Sequence, residues 1–221
     1  VLNSKERSKL KNVLFYGMSA PKYRDLNLSG AITFYESDVD ISNVIFNNNY
    51  RGDDYLNIIR SNFTINDSFF KKTLYDAVDL DFSDGLISNT VFEEIGNDAL
   101  DFSGSSVILD NIIANNVSDK AISAGEESYI TISNTLIKNS KFGIVSKDKS
   151  NILANNTEFS NIAYIAAAYQ KKSEFGAAKL ILNNYKVNDG DSEFIVGNNS
   201  QINLDGNKIL NNINTELIND I

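Results

Sequence analysis

The chain has 221 residues, 42% of them hydrophobic and 22% charged, which is enough apolar material for one sizeable core and too much for a disordered tail. Its 20 basic and 29 acidic residues leave a net charge of −9, which excludes a nucleic-acid backbone as partner and favours cations or neutral sugars. It has no histidine and no cysteine, so Ser/His/Asp triads, imidazole bases, histidine or thiolate zinc sites and disulfide frameworks are all excluded.

No run approaches the roughly 18 apolar residues of a membrane span. Val1 opens no signal peptide, and the absent initiator Met is expected of a processed chain or a domain cut from something longer. Residues 1–30 carry the charged run NSKERSKLKN and the only proline, Pro21, and fit the repeat poorly. They are expected to be an N-terminal cap or the remnant of truncated coils, because an open β-stack needs its ends covered.

From residue 31 to about 210 the chain lines up with itself every 22 residues. Asp54, Asp76, Asp98 and Lys120 share one file, and Ala77, Ala99, Ala121, Gly143 and Ile165 share the next. A fixed period of this length means one supersecondary unit stacked on copies of itself. Within a copy such as residues 78–99, short alternating apolar runs (Val78, Leu80, Phe82; Leu86, Ile87; Val91, Phe92) are separated by Asn, Asp, Gly and Ser. This is the pattern of three short strands and turns, without helical periodicity.

A polar corner recurs at Asn43, Asp67, Asn89, Asn111, Asn134 and Asn156, at intervals of 24, 22, 22, 23 and 22 residues. Amides stacked at one bend can hydrogen-bond the copies above and below. The next corner, Asn184, comes after 28 residues, so about six are inserted near residues 169–178 and a loop must project there. Residues 211–221 are left as a C-terminal end segment. The expected fold is all-β, a single-stranded right-handed parallel β-helix of about 8 coils of about 22 residues with an Asn ladder.

The strings GAITFYESDVDIS, DAVDLDFSDG, GNDALDFSGS, DKAISAGE, SKDKS and YQKKSEFG, with this period and corner, resemble the pectate-lyase-like superfamily over roughly residues 30–210. More narrowly they resemble bacterial β-helix repeats of surface or secreted proteins. The resemblance implies the fold and an extracellular, cell-surface or periplasmic setting. It leaves the activity open, since lyases, hydrolases, epimerases, tailspikes and inert scaffolds share it. The lack of histidine and of a Gly-His-Gly motif departs from the polygalacturonase-type hydrolases.

Alternation along the strand after each Asp54-type position divides the face. Leu56, Val78, Leu100, Ile122, Ile144 and Ala166 point inward, as do Ile58, Leu80, Phe102, Ala124, Ser146 and Ala168. The outward files read Asn57, Asp79, Asp101, Ser123, Val145, Ala167, and Ile59, Asp81, Ser103, Gly125, Lys147, Tyr169. The file after the strand reads Arg60, Phe82, Gly104, Glu126, Asp148, Gln170.

Neighbouring strands lie about 4.8 Å apart, and a like-charged pair at that distance costs on the order of 3 kcal/mol at an effective dielectric near 20. Asp54, Asp76, Asp79, Asp81, Asp98 and Asp101 therefore need raised pKa values, a lysine, or a bound cation, and oxygen ligands at loose spacing suit Ca²⁺. Aspartates beside parallel strands also close turns and keep a sheet soluble. By the same reasoning Lys120 neutralises Asp98, Lys147 pairs with Asp148, and Gly96, Gly104 and Gly125 serve bends.

Two functions fit. One is a glycan-binding or structural module of a larger envelope protein or assembly. The other is a cation-dependent polysaccharide lyase or uronate epimerase with Lys120 or Lys147 as base. Substrate would then meet Arg60, Glu126, Asp148, Tyr169, Gln170, Lys171, Lys172 and Glu174, with Tyr169 and Phe175 offering a stacking face. Two carboxylates about 5 Å apart also fit a retaining glycosidase.

Overall fold

The computed structural model describes residues 1–23, 26–189, 193–197 and 199–210. The expected end segment 211–221 lies outside the described residues. Among these residues all regular structure is β-strand, most of it wound into a parallel stack in which a strand pairs with strands of the coil before and the coil after. Leu100 pairs with Val78 and Ile122, and Ile122 with Ile144, as the 22-residue period requires. No helix is long and apolar enough to cross a membrane.

The short strands separated by turns that the sequence predicts form in the earlier coils, such as Asp54–Ile59, Asn62–Asn66 and Phe69–Thr73, but in three later coils they run together. Ser106–Gly125, Tyr129–Lys147 and Asn151–Tyr169 are continuous strands of 20, 19 and 19 residues. The coils bend at left-handed residues, single at most corners and paired at Glu126–Glu127 and Asp148–Lys149. One file of these is Glu36, Arg60, Phe82, Gly104, Glu126 and Asp148, a second is the Asn43 to Asn184 file, and a third is Asn48, Lys72, Glu94, Asn116, Asn139 and Asn161. One residue at φ near +50° turns the chain without breaking the ladder, and Asn tolerates that conformation best after Gly. The amides bond each other rather than the backbone: Asn43 Nδ2 donates to Asn12 at 2.8 Å, Asn111 to Asn89 at 2.8 Å and Asn156 to Asn134 at 3.3 Å.

The residues before 31 join the stack. Ser8–Lys11 pairs with Val39–Ser42, and Leu14–Ser19 with Ile45–Arg51. Lys22–Tyr23 and Leu26–Asn27 form a small antiparallel ribbon. At the other end, Asn207–Leu210 folds back antiparallel on Gln201–Leu204.

The core is a set of vertical files. Phe15, Phe46, Phe70 and Phe92 stack face to face at centroid distances of 5.5, 4.3 and 5.1 Å. The two inward files beside the acidic strand, Leu56 to Ala166 and Ile58 to Ala168, are fully buried.

A second buried file went unread in the sequence. Ser37, Ser61, Ser83, Ser105, Ser128 and Ser150 each follow a left-handed corner, and the backbone N–H of each of the first five donates to the serine Oγ of the next coil at 2.8 to 3.2 Å. The corner leaves these N–H groups facing inward, where only a short hydroxyl can reach them. Ser105→Ala strands the Ser83 N–H, and a denaturant melt is expected to show a loss of about 1–3 kcal/mol.

Candidate functional site

The strands Asp54–Ile59, Asp76–Asp81 and Leu100–Ser103 lie side by side on one face. Their register pairs Asp54 with Asp76, Asn57 with Asp79, Asp79 with Asp101, and Asp101 with Ser123. The crowding of acids inferred from the period is therefore real.

The six aspartates do different jobs. Asp76 Oδ1 accepts the Asp98 N–H at 2.9 Å and the Asn97 amide at 2.7 Å, and Asp98 Oδ1 accepts the Lys120 N–H at 2.9 Å. These two hold the entry to the following coil. Asp79 and Asp81 share the Asn57 amide, at 2.9 and 3.3 Å. Asp101 accepts the N–H of Phe102 at 3.1 Å. Asp54 Oδ2 and Asn57 Oδ1 are buried without a partner.

Burial, with like charges next to it, pushes Asp79 up to about 9, the neighbours being Asp54, Asp81 and Asp101. Burial raises Asp98 to about 7 against the pull of Lys120, and Asp54 and Asp76 to about 6. Asp81 is raised for the same first reason. Near neutral pH a proton on Asp79, and in part on Asp98, relieves some of the repulsion. Among the described residues no three carboxylates are disposed to hold a metal ion.

Both candidate bases stand beside carboxylates. Lys120 is buried, its Nζ 3.6 Å from Asp98 Oδ1 and bonded to Asp119, with the Phe142 ring 5.9 Å away. Its pKa is raised because Asp98 and Asp119 outweigh burial. Lys147 leans on Asp101 at 3.9 Å, not on Asp148 as the sequence suggested. Asp148 is 1% exposed and accepts the N–H groups of Lys171 and Lys172, both at 2.7 Å, so it anchors the inserted loop rather than facing a ligand.

The loop folds back on itself and on the face. Gln170 Nε2 donates to the Phe175 carbonyl at 2.6 Å, and Lys172 Nζ bonds Glu126, which also accepts from Ser103 Oγ at 2.7 Å. Burial would raise Glu126, but Lys172 and Ser103 hold it below its usual range. Lys171 is lowered, by burial and then by Lys147 and Lys120. Glu174 is exposed beside Ser173.

Tyr169 is not a stacking face. It is fully buried in an outer apolar cluster with Phe142, Val145, Ala167 and Ile195, and its hydroxyl has no partner. Alternation correctly placed it outside the coil but could not show that Ile195, 26 residues on, closes over it.

On the opposite rim the sequence pointed to Arg60 but not to the aromatic beside it. Phe82 is 59% exposed at the left-handed corner beside Asp81, its ring lying over Gly104, where a Cβ would come within 2.7 Å of it. Arg60 stands 5.9 Å from that ring and donates to Tyr35 Oη at 2.9 Å. The signal was an aromatic directly after an outward aspartate. The face thus runs from an aromatic and arginine rim, across half-buried carboxyls, to tethered lysines under a loop.

The family described as a right handed beta helix region matches residues 56–209. The chain belongs to the right-handed β-helix family. Members share the coil and not one chemistry. No curated protein sequence matches. Among solved structures the chain is similar to full-length tailspike protein 2 of Escherichia coli O157:H7 bacteriophage CAB120, with a TM-score of 0.53 and 10% identity. That match covers 90% of this chain and 37% of the tailspike, so the chain spans well under half of that protein. The catalytic domain of a GH87 α-1,3-glucanase in complex with nigerose matches at a TM-score of 0.38 and 13% identity, over 93% of this chain and 53% of the other.

Proposed function

We propose that this chain is a non-catalytic β-helix module, part of a larger surface or secreted protein or assembly, that binds a glycan across its acidic strand face. One observation carries the reading: of the two lysines that a lyase or epimerase would need as a base, Lys120 is buried against Asp98 and Asp119 and Lys147 stands 3.9 Å from Asp101, whereas Asp79, Asp81 and Asp101 stay partly open beside the exposed Phe82. A general base must be free to take a proton from the substrate. Carboxyls that accept from, and when protonated donate to, sugar hydroxyls suit binding without chemistry, and an exposed ring supplies an apolar platform for the sugar face.

A glycan array followed by calorimetry on the best ligand tests this. Phe82→Ala and Asp101→Asn are each expected to weaken binding about tenfold, which is about 1.4 kcal/mol, with no loss of fold and no unsaturated product from acidic polysaccharides. Absorbance from such a product, abolished in Lys147→Met, would overturn the non-catalytic reading in favour of a lyase.

Bound Ca²⁺ is the second reading of the same acids, favoured by the unpartnered Asp54 Oδ2 and Asn57 Oδ1. It requires the melt to rise with Ca²⁺ and to fall back with EDTA. Identical melts leave protons, Asn57 and the lysines as a sufficient account of how the repulsion is relieved.

A further inference from the structure

The face that follows the serine file carries a stripe of exposed aliphatic side chains. In register along the rod it reads Leu86, Ile108, Thr131, Leu153, Ile181, with exposures of 37, 53, 38 and 41% for the four aliphatics. Beside it runs a polar file, Asp84, Ser106, Tyr129, Asn151, Lys179. Contiguous apolar surface of this kind is uncommon on a rod that stands alone.

Two properties say what covers it. The stripe reads the same in both directions about Thr131, two aliphatics on either side, and the flanking file carries Asp84 at one end and Lys179 at the other. Neither of these charges makes an ion pair among the described residues. A shallow groove of about 210 Å³, lined by Tyr129, Thr131, Leu153 and Ile181 among others, lies on one side of Thr131, while Ile108, the most exposed aliphatic of the stripe, stands on the other.

We infer that this face binds a second copy of the chain, rods antiparallel, about a two-fold axis that runs along the strand direction through Thr131. Such an axis lays each file over itself with the coil order reversed. Ile108 then meets the partner's Leu153 and enters its groove, Leu86 meets Ile181, and Asp84 faces Lys179. This is the self-complementarity that an isologous contact demands. Five coils at about 4.8 Å by a strand of about 17 Å give roughly 400 Å² per rod, at the weak end of specific interfaces. The pair is therefore reversible and concentration-dependent.

The other apolar stripe, from Leu14 through Ile45, Phe69, Val91 and Ile113 to Leu136, does not show the same complementarity. Of the charges beside it, Lys71 and Glu93 are already paired within the rod at 3.2 Å, and reversing the coil order sets Lys138 against Tyr16 rather than a carboxylate.

Sedimentation velocity over a concentration series should show a monomer–dimer equilibrium. Ile108→Asp should weaken it at least tenfold. Asp84→Lys should also weaken it, and Asp84→Lys combined with Lys179→Asp should restore it. The chain has no cysteine, so Thr131→Cys with a short bismaleimide should give a covalent dimer, and Ile113→Cys on the other stripe should not. A monomer at every concentration, or crosslinking at position 113 and not at 131, overturns the inference.

Discussion

Lys120→Met is expected to destabilise the fold by about 3–5 kcal/mol, the range for removing one partner of a buried ion pair. The ammonium is enclosed by Asp98 and Asp119 with the Phe142 ring close by, and Asp98 is itself 4% exposed. Without the lysine, Asp98 keeps the backbone N–H at 2.9 Å but loses the only cation placed against it among the described residues. Its folded pKa, already raised to about 7 by burial, rises further. The sign follows: a carboxyl that holds its proton more tightly folded than unfolded stabilises at low pH and loses that contribution as pH rises. The penalty of Lys120→Met should therefore be smaller at pH 5 than at pH 8. Adding Asp98→Asn keeps the acceptor and removes the charge, and should recover most of the loss. Equal penalties at both pH values would mean that the lysine acts through packing of its stem and that Asp98 is not the charge it serves.

The same lysine shows what the sequence could and could not disclose. The 22-residue register alone placed Asp79 over Asp101 and Asp98 beside Lys120, because in a parallel stack one period is one strand spacing. It also divided inward from outward along the acidic strand, since alternation leaves no freedom there. What it could not supply was depth. Asp148 and Tyr169 lie outside the coil and are both buried, because the inserted loop closes over the first and Ile195 packs with the second. Those contacts join residues with no common period. The serine file was legible in principle, with intervals of 24, 22, 22, 23 and 22 residues from Ser37 to Ser150, but a serine after a polar corner reads equally well as part of a turn. Phe82 was hidden by its own period: it follows Leu80 by two, as a core residue would, and only the left-handed corner turns it out to solvent.

Asp79→Asn is expected to raise stability at pH 8, by up to about 5 kcal/mol, and to change little at pH 4. Asp79 lies between Asn57 and Asp101, with Asp81 two residues along the strand, and its one hydrogen bond among the described residues comes from the Asn57 amide. Burial and the neighbouring acids push its pKa up to about 9, against about 3.9 in an unfolded chain. Between those values the folded state binds more protons than the unfolded one, so stability falls as pH climbs. Asp98, at about 7, and Asp54 and Asp76, at about 6, add the same slope over narrower windows. Glu126 and Asp40, held low by Lys172 and Arg7, slope the other way only at more acidic pH. The wild-type melting temperature should accordingly decline from pH 5 to pH 8, and the decline should flatten in Asp79→Asn, where an amide of the same shape carries no charge to bury. Calorimetric melts across that range, in a chelator-treated buffer, make the comparison directly. A wild-type curve that rises through the window, or a variant that keeps the full slope, would place the relief of this acidic face somewhere other than on the Asp79 proton.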